Sequence, residues 1–252
     1  MKLRKIFGVL FLGTALIFQI TGCNNVNQSQ SDQAQPGNAQ TEAEQEVPDA
    51  NSNENTPSLG SSNIENTGIG SDDSKILIAY FSAGENSDVD VVSSASVTTV
   101  DGEAKGRLRA VADMIQAETG GELFSIQTSV KYPGDGGELI DYAAEEQDED
   151  ARPELTSHIE NLDDYDIIFV GYPNWWYDMP MALYSFFDEY DFSGKTIIPF
   201  NVHNGSRFSD TIAAIQDLEP NAEVITDGFT VSEREVAEAA GDVADWLRGL
   251  GY

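Results

Sequence analysis

From Gly171 to Pro180 the chain reads Gly-Tyr-Pro-Asn-Trp-Trp-Tyr-Asp-Met-Pro. Gly171 and Pro173 stop the apolar run before them, so the residues that follow form a loop. Trp175, Trp176 and Tyr177 place three large flat rings in that loop. Such rings suit a flat ligand, a flavin or a nucleotide base. The competing reading is that the two tryptophans cap the core over the end of a sheet. Pro173, Asn174 and Asp178 flank the rings and would border the same site.

Two further stretches carry usable chemistry. Asn201-Val-His-Asn-Gly-Ser-Arg207 offers amides, an imidazole and a hydroxyl, with His203, Asn204 and Gly205 at its centre. These groups could bond a ring edge or a sugar, or could be solvated loop residues. Lys105-Gly106-Arg107-Leu108-Arg109 puts three cations where a helix should begin, although cations at a helix N-terminus oppose its dipole. A bound phosphate would offset that cost; pairing with surface acids would also do so. The chain has no complete glycine-rich phosphate motif, no cluster at metal-ligand spacing and no nucleophile motif. His158 lies in an acidic segment and reads as a surface residue.

The elements that must position these loops alternate in type. Residues 75–81, 122–127, 166–171, 195–200 and 223–226 read as strands. Helices are expected after the cations at 105–109, with Leu108, Val111 and Ile115 inward and Gly120-Gly121 as the stop. One or two acidic helices are expected within 136–160, broken near Pro153. Further helices should begin near Pro180 and near Phe208, with Ile212 and Ile215 inward. A last helix should follow a capping box from Ser232 to Glu235, with Val236, Ala240, Val243 and Leu247 inward. Residues 82–106 make a connection long enough to imply function or disorder, with a strand-forming excursion between Val89 and Val100. Alternating strands and helices predict an α/β domain with three layers and a five-stranded parallel sheet. The order 2-1-3-4-5 is one of the two common arrangements, and ligands then bind where the strand order reverses.

The N-terminus reads differently. Lys2, Arg4 and Lys5 precede an apolar stretch over residues 6–20, followed by Thr21-Gly22-Cys23. This is the layout of a secretory signal, too short for a typical spanning helix, and its end resembles the lipobox of bacterial lipoproteins. The resemblance implies cleavage after residue 22 and lipid on Cys23, the sole cysteine. Residues 23–74 have no Lys, Arg or aromatic residue and cannot bury enough apolar surface to order themselves. They are expected to be a tether, reaching roughly 40 Å, that holds a folded domain of residues 75–252 outside the cytoplasm at a membrane face. The whole chain carries 13 basic and 44 acidic residues, net −31. That balance excludes nucleic-acid binding and is repelled by anionic lipid; it either steers basic partners towards the domain or forms a solvated coat with no partner.

Taken together, Tyr80-Phe81-Ser82, Ala151-Arg152-Pro153-Glu154-Leu155, Tyr165-Asp166, Gly171-Tyr172-Pro173-Asn174-Trp175-Trp176 with Pro180, and Asp191-Phe-Ser-Gly-Lys-Thr-Ile-Ile-Pro-Phe200 resemble the short-chain flavodoxin-like proteins of bacteria. The resemblance spans nearly all of residues 75–230. It implies a flavodoxin-like fold, noncovalent FMN, and electron transfer or flavin-linked reduction with a redox partner protein. By position, Ser82, Gly84 and Asn86 match the start of the phosphate loop, and Pro173 to Trp176 match the loop beside the flavin ring. Residues 201–206 match the loop at the ring's polar edge. Where that family usually reads Ser-x-Thr-Gly-Asn-Thr, this chain has Ser82-Ala-Gly84-Glu85-Asn86-Ser87 and then a long insertion. The alternatives are an NAD(P)H- or quinone-dependent FMN reductase and a cofactor-free binding module on the same fold.

Overall fold

This computed structural model describes Ile69 and residues 74–252. The secretory signal, Cys23 and the tether, apart from Ile69 and Ser74, lie outside the described residues. Along the described chain, β1 (Ile76–Tyr80) is followed by β2 (Val97–Val100), β3 (Glu103–Gly106), α1 (Arg107–Thr119) and β4 (Glu122–Ser125). Then come α2 (Gly136–Asp148), β5 (Ile167–Pro173), α3 (Met181–Glu189), β6 (Thr196–His203) and α4 (Thr211–Leu218). β7 (Glu223–Val224), β8 (Phe229–Ser232) and α5 (Ala240–Leu250) complete it.

The main sheet runs β4-β1-β5-β6-β7, with β8 also against β6, and every pairing in it is parallel. With β7 and β8 sharing one position, this is a five-position sheet in the order 2-1-3-4-5, a flavodoxin-like three-layer fold. Strand alternation sorts the core into two halves. Leu77, Ala79, Ile168, Val170 and Ile197 face one side and pack with Leu183, Phe186 and Phe187 of α3 and Ile215 of α4. Ile78, Tyr80, Phe169, Ile198 and Phe200 face the other and pack with Val111 and Ile115 of α1 and Val243 and Leu247 of α5. Both faces are covered, which is why the strands read as unbroken apolar runs.

The fifth position is interrupted for a reason visible in β6. Ile197 and His203 accept backbone bonds from Ile225 and Glu233, so residues of that parity on β6 point their main-chain groups towards β7 and β8. Pro199 shares the parity and has no N–H to give. The gap between β7 and β8 falls beside it, at Gly228, where a Cβ would come within 2.5 Å of the Pro199 oxygen. The expected strand 223–226 is therefore only the first part of that position.

The connection 82–106 is ordered. It contains an antiparallel hairpin, β2 with β3, whose register sets Val97 opposite Gly106. Asp101 and Gly102 turn it with φ of 52° and 83°, the left-handed pair that Asp-Gly favours in two-residue hairpins.

The capping box is a correction. Ser232 ends β8 opposite His203, and its hydroxyl serves only the Arg234 N–H, at 3.4 Å. A 3-10 turn, Val236–Glu238, intervenes before α5 starts at Ala240. That turn shifts the inward stripe to Val236, Ala239, Val243, Leu247 and Leu250, leaving Ala240 exposed. Upstream, Ile69 donates its N–H to Leu250 O at 2.9 Å and packs against the α1/α5 half of the core. No helix of the described residues is long and apolar enough to cross a membrane.

Candidate functional site

The carboxyl ends of β5 and β6 open into a cleft of about 600 Å³, beside the β1/β5 pair where the strand order reverses. One wall is the start of α1, with Ser96 from the hairpin beside it. The second is the turn after β5, and the third the loop after β6. The fourth is α2, through Leu139, Ile140 and Ala143.

The turn after β5 is held by two backbone bonds of 2.9 Å, Trp175 N–H to Asp178 O and Asp178 N–H to Trp175 O. Trp176 and Tyr177 occupy its corner with φ of 50° and 69°. Bulky side chains avoid that left-handed region, and each such residue costs on the order of 1–3 kcal/mol. The three aromatics then divide. Trp175 is half-buried, 5.7 Å from the rings of both Phe81 and Tyr132, so it caps the core and also lines the cleft. Trp176 is 53% exposed and Tyr177 72% exposed, and both line the cleft. Asp178 does not line it. Its carboxylate accepts from Tyr184 Oη at 2.9 Å and from the Met179 N–H at 2.7 Å. Burial, and then Asp178, push the Tyr184 phenol up.

Pro173 and Asn174 reach the cleft from the end of β5. Asn174 donates through Nδ2 to Arg207 O at 2.9 Å, while its Oδ1 is buried with no hydrogen-bond partner among the described residues. His203, which ends β6, and Asn204 and Gly205 after it line the cleft, with Ser206 beside them. His203 Nδ1 accepts the Gly205 N–H at 2.8 Å. Burial first, then Arg207, lowers the imidazole's pKa against Glu233 and Glu235. The neutral ring therefore carries its proton on Nε2.

The phosphate-loop assignments separate. Arg107 and Leu108 line the cleft; Ser82, Gly84, Asn86, Lys105 and Gly106 do not. Asn86 is fully buried and holds the loop together. Its Nδ2 donates to Ser82 O and Ile126 O at 3.1 and 3.0 Å, and its Oδ1 accepts from Thr128 N and Oγ1 at 2.8 and 3.2 Å. Lys105 reaches Asp113 at 2.8 Å. The Glu85 carboxylate accepts from Tyr80 Oη at 3.1 Å and from Ser125. Gly106 caps α1 with no side-chain bond; the Arg107 N–H donates to Ser96 O at 3.0 Å, and the N–H groups of Leu108 and Arg109 behind it are the ones an anion could take. A Cβ on Gly106 would overlap Ser82 Oγ, and that hydroxyl is itself buried without a partner among the described residues. Arg107 Nη1 bonds Glu233 Oε2 at 3.0 Å, while its Nε is buried with no partner among the described residues.

Ser96, the α2 wall and Glu233 were missed in the sequence. Asp101-Gly102 after a strand-forming run was the available signal for the hairpin that returns Ser96 to α1. The apolar Leu139 and Ile140 inside an acidic helix marked α2. Nothing local marked Glu233. Among the described residues no group of three or more metal-ligating side chains converges.

Residues 99–249 match the family described as Flavodoxin. The chain belongs to the flavodoxin family. Two solved structures, both described as "putative flavoprotein", are similar to it. That from Bacteroides uniformis ATCC 8492 shares 25% identity over 69% of this chain and 98% of its own, with a TM-score of 0.55. That from Bacteroides eggerthii DSM 20697 shares 25% over 68% and 98%, with a TM-score of 0.50. No curated protein matches the chain.

Proposed function

We propose that the cleft binds FMN noncovalently and that the chain is an electron-transfer flavoprotein. In this reading it is held by lipid on Cys23 at the extracytoplasmic face of a membrane. The observation that carries the FMN reading is the pairing, across one cleft at the switch point, of exposed flat rings with an uncapped helix N-terminus that bears an arginine. The residues present suit the parts of the molecule. Trp176 and Tyr177 would flank the ring system. Arg107 Nε, buried with no partner among the described residues, and the Leu108 and Arg109 N–H groups of α1 would take the phosphate, with Ser82 Oγ, also unpartnered among the described residues, beside them. Asn174 Oδ1 would accept from a ring N–H, and His203 Nε2 would donate to a ring or ribose oxygen.

When bound, FMN supplies the ability to take up and release one or two electrons. The chain supplies binding, orientation and exclusion of water. Glu233 at the cleft and Glu235, whose charge acts on His203, favour a basic redox partner.

Titrating the protein with FMN while following tryptophan fluorescence tests this reading. Strong quenching that saturates at one FMN per chain is expected, because Trp176 lines the cleft. A folded protein that shows no quenching overturns it. Turnover of the loaded protein with NADH, NADPH or quinones would replace the carrier by a reductase.

A further inference from the structure

Arg107 opens α1, and Glu233 follows β8 on the far rim of the cleft. The two stand 126 positions apart in the chain and meet at 3.0 Å, with side chains 23% and 28% exposed. The Glu233 N–H donates to His203 O at 2.8 Å, which fixes the carboxylate's origin at the cleft edge. Both side chains line the cleft. Arg107 thus has one arm, Nη1, committed to Glu233, while Nε is buried with no partner among the described residues.

An arginine binds a phosphate best with two parallel N–H bonds from one edge of its fork. Of its two edges, Nε/Nη2 and Nη1/Nη2, the second is half engaged here by a carboxylate of the same sign as the incoming ligand. A phosphate arriving at the start of α1 must share Arg107 with Glu233 or displace it, and a displaced carboxylate in a partly buried site is repelled by the phosphate. A flavin without phosphate meets neither cost and leaves the pair intact.

We propose that Glu233 is a specificity-determining residue: by holding Arg107 it sets how strongly the cleft prefers a phosphorylated flavin to an unphosphorylated one. This rests on the FMN reading above. Glu233 acts as an internal occupant of the anion site. Its charge lowers the preference for FMN over riboflavin below what Arg107 and the α1 N-terminus would otherwise give.

The test compares FMN and riboflavin binding, by tryptophan quenching, to the full chain and to its Glu233→Gln, Arg107→Gln and doubly substituted forms. Glu233→Gln should tighten FMN about tenfold, or ~1.4 kcal/mol, and move riboflavin less than about twofold. Arg107→Gln should weaken FMN and spare riboflavin, and in its background Glu233→Gln should gain clearly less than in the wild type. If the wild type binds FMN and Glu233→Gln leaves the FMN-to-riboflavin ratio unchanged, this inference falls and the FMN reading stands. If no form binds either flavin, both fall. Binding of FMN by Glu233→Gln alone would overturn the FMN reading for the native chain, and the inference with it.

Discussion

The indole Nε1–H of Trp176 donates to the carbonyl oxygen of Ile140 at 2.9 Å. That bond ties the turn after β5 to α2 across the mouth of the cleft. Gln147 adds a second tie, donating from Nε2 to Trp175 O at 2.8 Å. Trp176, one of the two bulky residues with positive φ, is thus bonded directly to a neighbouring helix, and strain of this kind concentrates at binding sites.

Tyr177 makes the energetic meaning of that turn testable. It sits at φ 69° and is 72% exposed, so glycine there relieves backbone strain and removes little packing. Tyr177→Gly should raise Tm by about 2–4 °C, the shift that ~1 kcal/mol gives a domain of this size. The same substitution should weaken FMN binding, because one flat wall is lost. A variant less stable than wild type would show that the turn is not strained.

Asn86 has the opposite character. It looks like a phosphate-loop residue in sequence, yet all four of its bonds go to the protein's own loops. Asn86→Ala should cost about 3 kcal/mol or more in denaturant unfolding, since several buried backbone groups lose their partner. The fraction that remains folded should still bind one FMN per chain. Loss of binding in a folded variant would put Asn86 back among the ligand's contacts.

These two residues show what was legible. The five sheet positions, their order and the aromatic turn could be read because apolar runs and glycine or proline stops are local signals. So could the loop after β6. The start of α1 was legible in type, as cations crowded at a helix start, but the side chains diverge: Arg107 enters the cleft while Lys105 turns to Asp113. Which way each points depends on the hairpin β2/β3 that feeds the helix, and on the 3-10 turn Ala83–Glu85 that draws Glu85 towards Ser125. Glu233 reaches the site only because Pro199 splits the fifth position and β8 resumes further along. That is a relation between strands, with no trace in the residues around 233.

Gly171 lies where β5 enters the cleft, paired with Tyr80 and Phe200. A Cβ there would overlap the ring of Phe200, which is completely buried and has nowhere to move. Gly171→Ala should therefore destabilise the fold by about 1–3 kcal/mol, the usual penalty for overpacking, seen as a lower denaturation midpoint. A neutral effect would mean that the sheet has more slack beneath the site than the packing of Phe200 indicates.

Glu146 gives stability a pH dependence. Its side chain is buried on α2, Oε1 accepts from Tyr132 Oη at 3.2 Å, and Oε2 has no partner among the described residues. Burial raises its pKa from the ordinary 4.5 to about 7, against the Tyr132 bond, which lowers it. The folded chain therefore keeps a proton that the unfolded chain releases between those two values. The sign follows: this contribution is fully present below about pH 4.5 and is lost as pH rises through about 7. Glu146→Gln keeps the acceptor for Tyr132 and cannot ionise. Its Tm should match wild type near pH 4.5 and exceed it by about 3–6 °C at pH 8, on the scale by which ~1 kcal/mol moves Tm 2–4 °C. An equal difference at both pH values would assign the effect to packing and remove Glu146 as the titrating group.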